Sequence, residues 1–325
     1  MPRPRFLPDN FTLGLLASVT LASVLPCQGQ PAIWLEHLTQ LAIALLFFLH
    51  GAKLSWQAVV AGMTHWRLHL CVLAATFVLF PILGLVLQPL LQTLTTPGLA
   101  LGVLYLCLLP STVQSSIAFV SVAGGNVPAA ICSATASNLA GIALTPLLVG
   151  WLLVQGDGGM HAGSASGILY QLLLPFITGQ LLRPWLGGWV ERHKPLLRAV
   201  DQGSILLVVY TAFSAAVING LWHSLPLPAL GGLLLTCAVL LAALLLLTAL
   251  LGRQLGFNRE DRITLLFCGS KKSLASGVPM DKVLFAGQPM GAIVLPLMLF
   301  HQLQLMVCAV LAQRLAASHR AAAGG

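Results

Sequence analysis

Long apolar runs, separated by short polar or Gly/Pro-rich breaks, dominate the chain. Ten of them are long enough to cross the hydrocarbon core of a bilayer, which takes roughly 20 residues of helix. Their limits are 11–27, 33–51, 68–90, 98–122, 127–154, 166–186, 202–220, 229–252, 262–285 and 290–313. The pattern predicts an all-α polytopic membrane protein with ten transmembrane helices. The fourth and ninth runs differ from the rest, because each is interrupted near its middle by small and polar residues.

Composition and charge sharpen this reading. Of the 325 residues, 58% are hydrophobic and only 7% are charged, against about 25% charged in a soluble domain. Net charge is +8, but no basic stripe interleaved with aromatics marks a nucleic-acid surface. The cations instead sit in short clusters between the runs. With the N-terminus inside, cytoplasmic segments hold Arg3, Arg5, Lys53, Arg67, Arg183, Arg192, Lys194, Arg198, Arg253, Arg259, Arg262, Arg314 and Arg320, thirteen of the sixteen Lys and Arg. Outer loops hold only Lys282, and Lys271 and Lys272 fall inside the ninth run. Such asymmetry is what the positive-inside rule demands. Omitting one span would scramble it, so the expectation is a multi-pass inner (plasma) membrane protein with both termini cytoplasmic. Residues 1–27 have the form of a signal peptide, yet the topology closes only if they are retained. The seven cysteines include no C-x-x-C pair and read as small buried hydrophobes.

Ten is twice five, and five is odd. Two five-helix halves, 1–154 and 166–313, therefore sit in opposite orientations as inverted repeats, followed by a short, mobile cytoplasmic tail over 314–325 with no structural part. The interrupted helix is the fourth of each half. Paired breaks at corresponding positions point to a transporter's binding site. Irregular backbone at membrane depth is tolerated only where protein or a water-filled cavity satisfies it. Half-helix N-termini then attract anions, and C-terminal ends offer carbonyls to cations.

The first break reads Leu109-Pro110-Ser111-Thr112-Val113-Gln114-Ser115-Ser116, followed by Gly124-Gly125-Asn126. Pro110 removes a helical hydrogen bond and disfavours helix at Leu109. Ser111, Thr112, Gln114, Ser115 and Ser116 place five oxygen-bearing side chains in six positions. Capping and helix–helix bonding account for single serines in membranes; a cluster beside a proline points to a ligand. The second break reads Cys268-Gly269-Ser270-Lys271-Lys272-Ser273-Leu274-Ala275-Ser276-Gly277-Val278-Pro279. A charge at mid-span costs several kcal/mol and is a functional residue by default. Adjacent lysines point about 100° apart on a helix, so one would face a cavity while the other caps the opposing half-helix. Snorkelling to the interface is the competing explanation, and the depth of the pair opposes it.

Weaker signals lie elsewhere. His301, Gln302 and Gln304 in the tenth run, and Asn138 in the fifth, either line the same cavity or pack. Glu36 and His50 are expected at the interface, and Asp281-Lys282 in a solvated outer loop. His65 and His69 have i,i+4 spacing but no third ligand, so no metal site is expected. Gly98-x-x-x-Gly102 matches a helix-packing motif.

At these residues the sequence resembles the bile acid:sodium symporter family, in a divergent bile-acid-symporter-like branch. The matching segments are Leu46-Phe47-Phe48-Leu49-His50-Gly51-Ala52-Lys53-Leu54, Gly124-Gly125-Asn126 followed by Thr145-Pro146-Leu147-Leu148, Lys272-Ser273-Leu274, and Phe285-Ala286-Gly287 followed by His301-x-x-Gln304. They extend over nearly the whole chain. The resemblance implies a panel of spans 1, 2, 6 and 7 rocking against a core of spans 3, 4, 5, 8, 9 and 10, with spans 4 and 9 crossing at their breaks. It implies a small or amphipathic organic anion as substrate, usually carried with sodium.

The departures from that family bear on the coupling ion. Phe267 stands where sodium-coupled members carry a Glu, and Lys271-Lys272 replace a Gln-Asn pair. Ser115-Ser116 stand for Ser-Asn, Thr76 for a Gln, and Ala130 and Ala134 for hydroxyl ligands. If a sodium site remains, Ser115 and Thr76 are its ligands. Two unit charges about 4 Å apart repel by about 4 kcal/mol at an effective dielectric of 20, roughly a thousandfold in affinity. A lysine ammonium is therefore expected to stand in for sodium, and either to exchange a proton or to pair with the anionic substrate. The expected substrate- and ion-binding set is Ser111, Thr112, Gln114, Ser115, Ser116, Asn126, Ser270, Lys271, Lys272, Ser273, His301 and Gln304. No cofactor is expected beyond sodium or a proton as coupling ion; the partners are a small organic anion and membrane lipids.

The expected function is secondary active transport of organic anions by alternating access. No G-x-x-x-x-G-K-[ST] motif is present for ATP drive. One alternative is an intramembrane enzyme pairing Ser111, Ser115, Ser270 or Ser273 with Lys271, but no carboxylate pair, H-E-x-x-H or nucleophile elbow accompanies them. Another is a regulatory or structural membrane protein that keeps the transporter fold without transport.

Overall fold

A computed structural model of the chain describes residues 10–53, 65–153, 162–224, 226–285 and 290–323. Among these residues the only regular structure is helix. In chain order the helices are α1 (Asn10–Val24), α2 (Gln30–Lys53), α3 (Trp66–Val86), α4 (Gln88–Leu94), α5 (Pro97–Leu108), α6 (Gln114–Ala123), α7 (Val127–Leu152) and α8 (Ala162–Arg192). They continue as α9 (Lys194–Ile218), α10 (Leu221–Ser224), α11 (Leu227–Gln254), α12 (Arg259–Gly269), α13 (Leu274–Leu284) and α14 (Met290–Ala323). Among the described residues, six helical segments are long and apolar enough to cross a membrane: α2, α3, α7, α9, α11 and Gly291–Ser318 of α14. The fourth and ninth apolar runs are each two half-helices, α5/α6 and α12/α13, parted at the breaks read from the sequence.

Local chemistry sets the helix ends. The side chain of Asn126 accepts from the Ala129 N–H to cap α7, and Asn258 caps α12 by accepting from the Asp261 N–H, each satisfying an otherwise orphaned donor. Gly124 ends α6 in the left-handed conformation, φ 70°, which costs glycine nothing. Large apolar side chains stand outward, Leu227 at 82%, Trp185 at 77% and Leu181 at 68% exposure. A lipid solvent accepts such a surface, whereas water would not.

The chain divides into two compact units that interleave its halves. One comprises residues 1–53, 171–224 and 278–292. Within it, α2 and α8 approach backbone to backbone at two glycines: Gly51 faces the Phe176 carbonyl and Gly179 faces the Phe48 carbonyl. Small residues at such contacts are the usual basis of helix association in membranes. Three ion pairs lie among the described residues of this unit, Lys53–Asp201, Lys194–Glu191 and Lys282–Glu36. The outer-loop expectation for Asp281 and Lys282 is corrected here. α13 continues through both residues to Leu284, and Asp281 is only 1% exposed. Glu36 likewise belongs to a 2.6 Å pair with the Lys282 ammonium.

The second unit comprises 54–170, 225–277 and 293–325. Its core gathers Leu68, Val72, Val120, Ala130, Phe267 and Cys308. The first, second, sixth and seventh apolar runs fall in the first unit apart from the start of the sixth, and the third, fourth, fifth and eighth in the second. The ninth and tenth runs are divided between them at Val278 and Ala292, whereas the resemblance implied that both belong wholly to the core. The tail differs from its expectation too: α14 runs on to Ala323, and the Leu315 carbonyl accepts from Arg259 Nη2 at 3.0 Å.

Candidate functional site

The first break, and the second as far as Gly277, lie within the second unit, and there they cross. α5 ends at Leu108 because Pro110 has no N–H to give Leu106; the Leu109 N–H bonds that carbonyl instead at 3.3 Å. A helix end leaves its last carbonyls orphaned, and here each from Leu106 to Ser111 finds a donor. Cys107 and Leu109 accept from the Lys272 ammonium at 2.9 and 2.6 Å, and Leu108 from Thr145 Oγ1 at 2.8 Å. Pro110 accepts from the Ser273 N–H at 2.9 Å, and Ser111 from Asn138 Nδ2 at 2.8 Å. The second break is treated in kind. Ser116 Oγ donates to the Phe267 carbonyl, Ser111 Oγ to Cys268, and Ser270 Oγ to Leu266. Each break thus supplies donors to carbonyls of the other, and α7 supplies the rest through Asn138 and Thr145 apart from the local bonds at Leu106 and Leu266.

Lys272 is the centre of this arrangement. Its side chain is fully buried, and its third hydrogen bond goes to the Thr76 carbonyl at 2.8 Å. That carbonyl is free for a reason legible in the chain. Residues Ala75–Leu79 of α3 are wound as a π-helix, so the Phe80 N–H bonds Ala75, and Pro81 has no N–H for Thr76. Such π-turns recur at functional sites. The Phe80 ring covers the ammonium at 4.0 Å from its centroid, a cation–π distance. Three donors therefore meet three carbonyls, with an aromatic lid. The Lys272 backbone is clamped as well: its N–H donates to Gln304 Oε1 and its carbonyl accepts from Gln304 Nε2, both at 3.0 Å.

Lys271 points elsewhere. Its side chain is also fully buried, with the ammonium 3.9 Å from the centroid of the Phe119 ring. Among the described residues that ammonium has no hydrogen-bond partner. One lysine is saturated and its neighbour is not.

Paired breaks between half-helices recur in transporters, and comparison with known proteins gives the family. The SBF-like CPA transporter family model matches residues 9–317. The chain belongs to that family. An uncharacterized protein of Pseudomonas aeruginosa is 66% identical to this transporter over 317 residues, covering 97% of this chain and 95% of its own. "Putative symporter YfeH" of Escherichia coli (strain K12) is 55% identical over 307 residues, 94% of this chain and 92% of its own. The sodium/bile acid cotransporter 7-B of Xenopus laevis is 28% identical over 316 residues, 94% and 91% of the two chains.

Most residues singled out in the transporter's sequence meet at the crossing. Ser111, Ser116, Ser270, Lys272, Ser273 and Gln304 take part directly. Thr112 and Ser115 extend the network, Ser115 Oγ donating to Thr112 Oγ1, itself 2.9 Å from Ser116 Oγ. His301 joins through Gln304 at 2.9 Å. Thr76 contributes its carbonyl, while its hydroxyl donates to Val72. Besides Lys271, two residues lie apart. Gln114 is exposed on α6. Asn126 caps α7 and donates to Asp261 Oδ1 at 2.8 Å, tying the start of α12 to α7. Sequence reasoning gave no site role to Ser137, Gly141 or Thr145, which form one stripe on α7 at i, i+4 and i+8. Ser137 Oγ accepts the Ser111 N–H at 3.0 Å. A Cβ on Gly141 would lie 2.6 Å from Pro110 Cβ. That spacing of small residues was the available signal.

Proposed function

We propose that this transporter carries organic anions, bile-acid-like or small carboxylates, by alternating access, with the Lys272 ammonium in the role that sodium takes in cotransporters. Ten spans in two inverted halves, with both termini cytoplasmic, are the framework of this reading. The observation that carries it is the Lys272 ammonium held by the carbonyls of Thr76, Cys107 and Leu109. Converging carbonyls at a half-helix C-terminus favour a small cation. A tethered ammonium satisfies them without an ion from solution. Lys271 is then the group that releases a proton or meets the substrate's negative charge, since its ammonium has no hydrogen-bond partner among the described residues.

The test is uptake of a labelled bile acid and a labelled small carboxylate into proteoliposomes, under a proton gradient and under a sodium gradient. Proton-driven uptake, unchanged when potassium replaces sodium and lost in Lys271→Met, is the expected result. Sodium-driven uptake by the wild type would overturn the lysine assignment.

A second reading, a transporter fold retained without transport, draws on the internal bonding of the hydroxyls of Ser111, Ser116 and Ser270. It requires that substitutions at the crossing leave any cellular phenotype intact.

A further inference from the structure

A cleft of about 1020 Å³ opens between α11, α12 and α14, all within the second unit. Its two ends differ in chemistry. One end is lined by Arg253, Arg259, Arg262 and Arg314. None of these four forms an ion pair among the described residues, where the only pairs are Lys53–Asp201, Lys194–Glu191 and Lys282–Glu36. The other end is apolar, walled by side chains such as Ala242, Leu246, Met306 and Val310.

This polarity follows from the helices. On α11 the lining positions Ala242, Leu245, Leu246, Ala249 and Arg253 form one stripe at i, i+3, i+4, i+7 and i+11. At 1.5 Å per residue it is about 16 Å long, comparable with an acyl chain, and the arginine stands at its C-terminal end. On α14 the apolar residues from Met306 likewise lead to Arg314. α12 contributes Arg259 and Arg262 before Ile263 and Leu266. Leu246 is 60% exposed and Met306 61%, so the apolar walls face the bilayer. The nearby carboxylate of Asp261 is buried and engaged by Asn126.

We propose that this cleft binds an anionic phospholipid of the bilayer, its phosphate among the four arginines and an acyl chain along the α11 stripe. Guanidinium groups match phosphate oxygens in a fork. Basic pockets between membrane helices at the cytoplasmic face are the sites at which acidic lipid headgroups are held. A zwitterionic lipid would bring a fifth cation to the four arginines. A free anion would leave the apolar walls without an occupant.

Native mass spectrometry of the full chain tests this, after equilibration in detergent with equal phosphatidylglycerol and phosphatidylcholine of matched acyl chains. The wild type is expected to retain phosphatidylglycerol in preference by about tenfold or more, the ratio set by the net negative charge that phosphatidylcholine lacks, at about 1 kcal/mol for each of two arginines. Arg253→Gln with Arg314→Gln should bring that ratio close to one. Arg259 stays in place because it also holds the Leu315 carbonyl. Ala242→Trp, which keeps all four arginines and blocks the apolar end, should reduce retention by itself. Equal retention of the two lipids by the wild type overturns the proposal. So does retention unaltered in both variants, displacement of phosphatidylglycerol by inorganic phosphate alone, or occupation of the face by a second copy of the chain.

Discussion

Replacing Lys272 with alanine tests the crossing most directly. The substitution removes the donor to three buried carbonyls, those of Thr76, Cys107 and Leu109. A buried acceptor left unsatisfied costs about 1–3 kcal/mol, so the gross loss is about 3–9 kcal/mol. Against it stands the desolvation penalty of the buried ammonium, several kcal/mol, which the variant no longer bears. Removing one partner of a buried charged cluster typically leaves a net loss of about 3–5 kcal/mol, the expected destabilisation in potassium. The vacated position is ringed by three carbonyl oxygens, which are suitable ligands for sodium. Sodium at tenfold over its Kd would then restore about 1.4 kcal/mol, about 2 °C in Tm at the typical transition entropy of a chain of this length. The assay is thermal unfolding of purified protein in detergent, in sodium or potassium chloride at equal ionic strength. Wild type should unfold at one temperature in both salts, and Lys272→Ala should unfold earlier and regain part of the loss only in sodium. A sodium-specific rise in the wild type, or a variant as stable as wild type in potassium, would refute the reasoning.

Other perturbations probe the surroundings. Lys271→Met replaces a buried ammonium that has no hydrogen-bond partner among the described residues by an apolar chain of similar length, and should hold or raise the thermal midpoint while abolishing proton-driven uptake; a fall in midpoint would mean that the Phe119 ring stabilises the charge by more than its burial costs. Gly141→Val drives a side chain into Pro110, which a Cβ alone would approach to 2.6 Å; overpacking of this kind costs about 1–3 kcal/mol and should appear as a lower midpoint together with loss of uptake. Tyr105→Phe removes the bond from the Tyr105 hydroxyl to the Gly277 carbonyl, 2.7 Å, and should cost about 1 kcal/mol or somewhat more, because the carbonyl is left buried; denaturation of the variant at the wild-type midpoint would count against that bond.

The sequence by itself determined what depends on local composition and covalent chemistry. An apolar chain with 7% charged residues has to fold in lipid, and in lipid the backbone must satisfy itself, so helix was the outcome. The breaks were legible at Pro110 and around Lys271-Lys272, because a missing N–H and a mid-span charge are covalent facts. The 100° divergence expected of lysines on a helix does not apply, because both lie in the non-helical stretch between α12 and α13, where Lys272 bonds the carbonyls of the opposing half-helix. Which lysine takes which role was not legible. That depended on a carbonyl released by a π-turn in α3, some two hundred residues away in the chain, and on the Phe80 and Phe119 rings. Asp281 and Lys282 show the same limit. As a charged pair near the end of an apolar run they read as a solvated loop, yet Asp281 is buried and Lys282 pairs with Glu36 from another helix. Nor could spacing along one helix reveal the arginine cleft, whose polar end gathers side chains from three. Charge partners and shared cavities are set by long-range packing, where residues distant in sequence bring their fields and surfaces together. No local pattern encodes that, and the tertiary structure alone decided it.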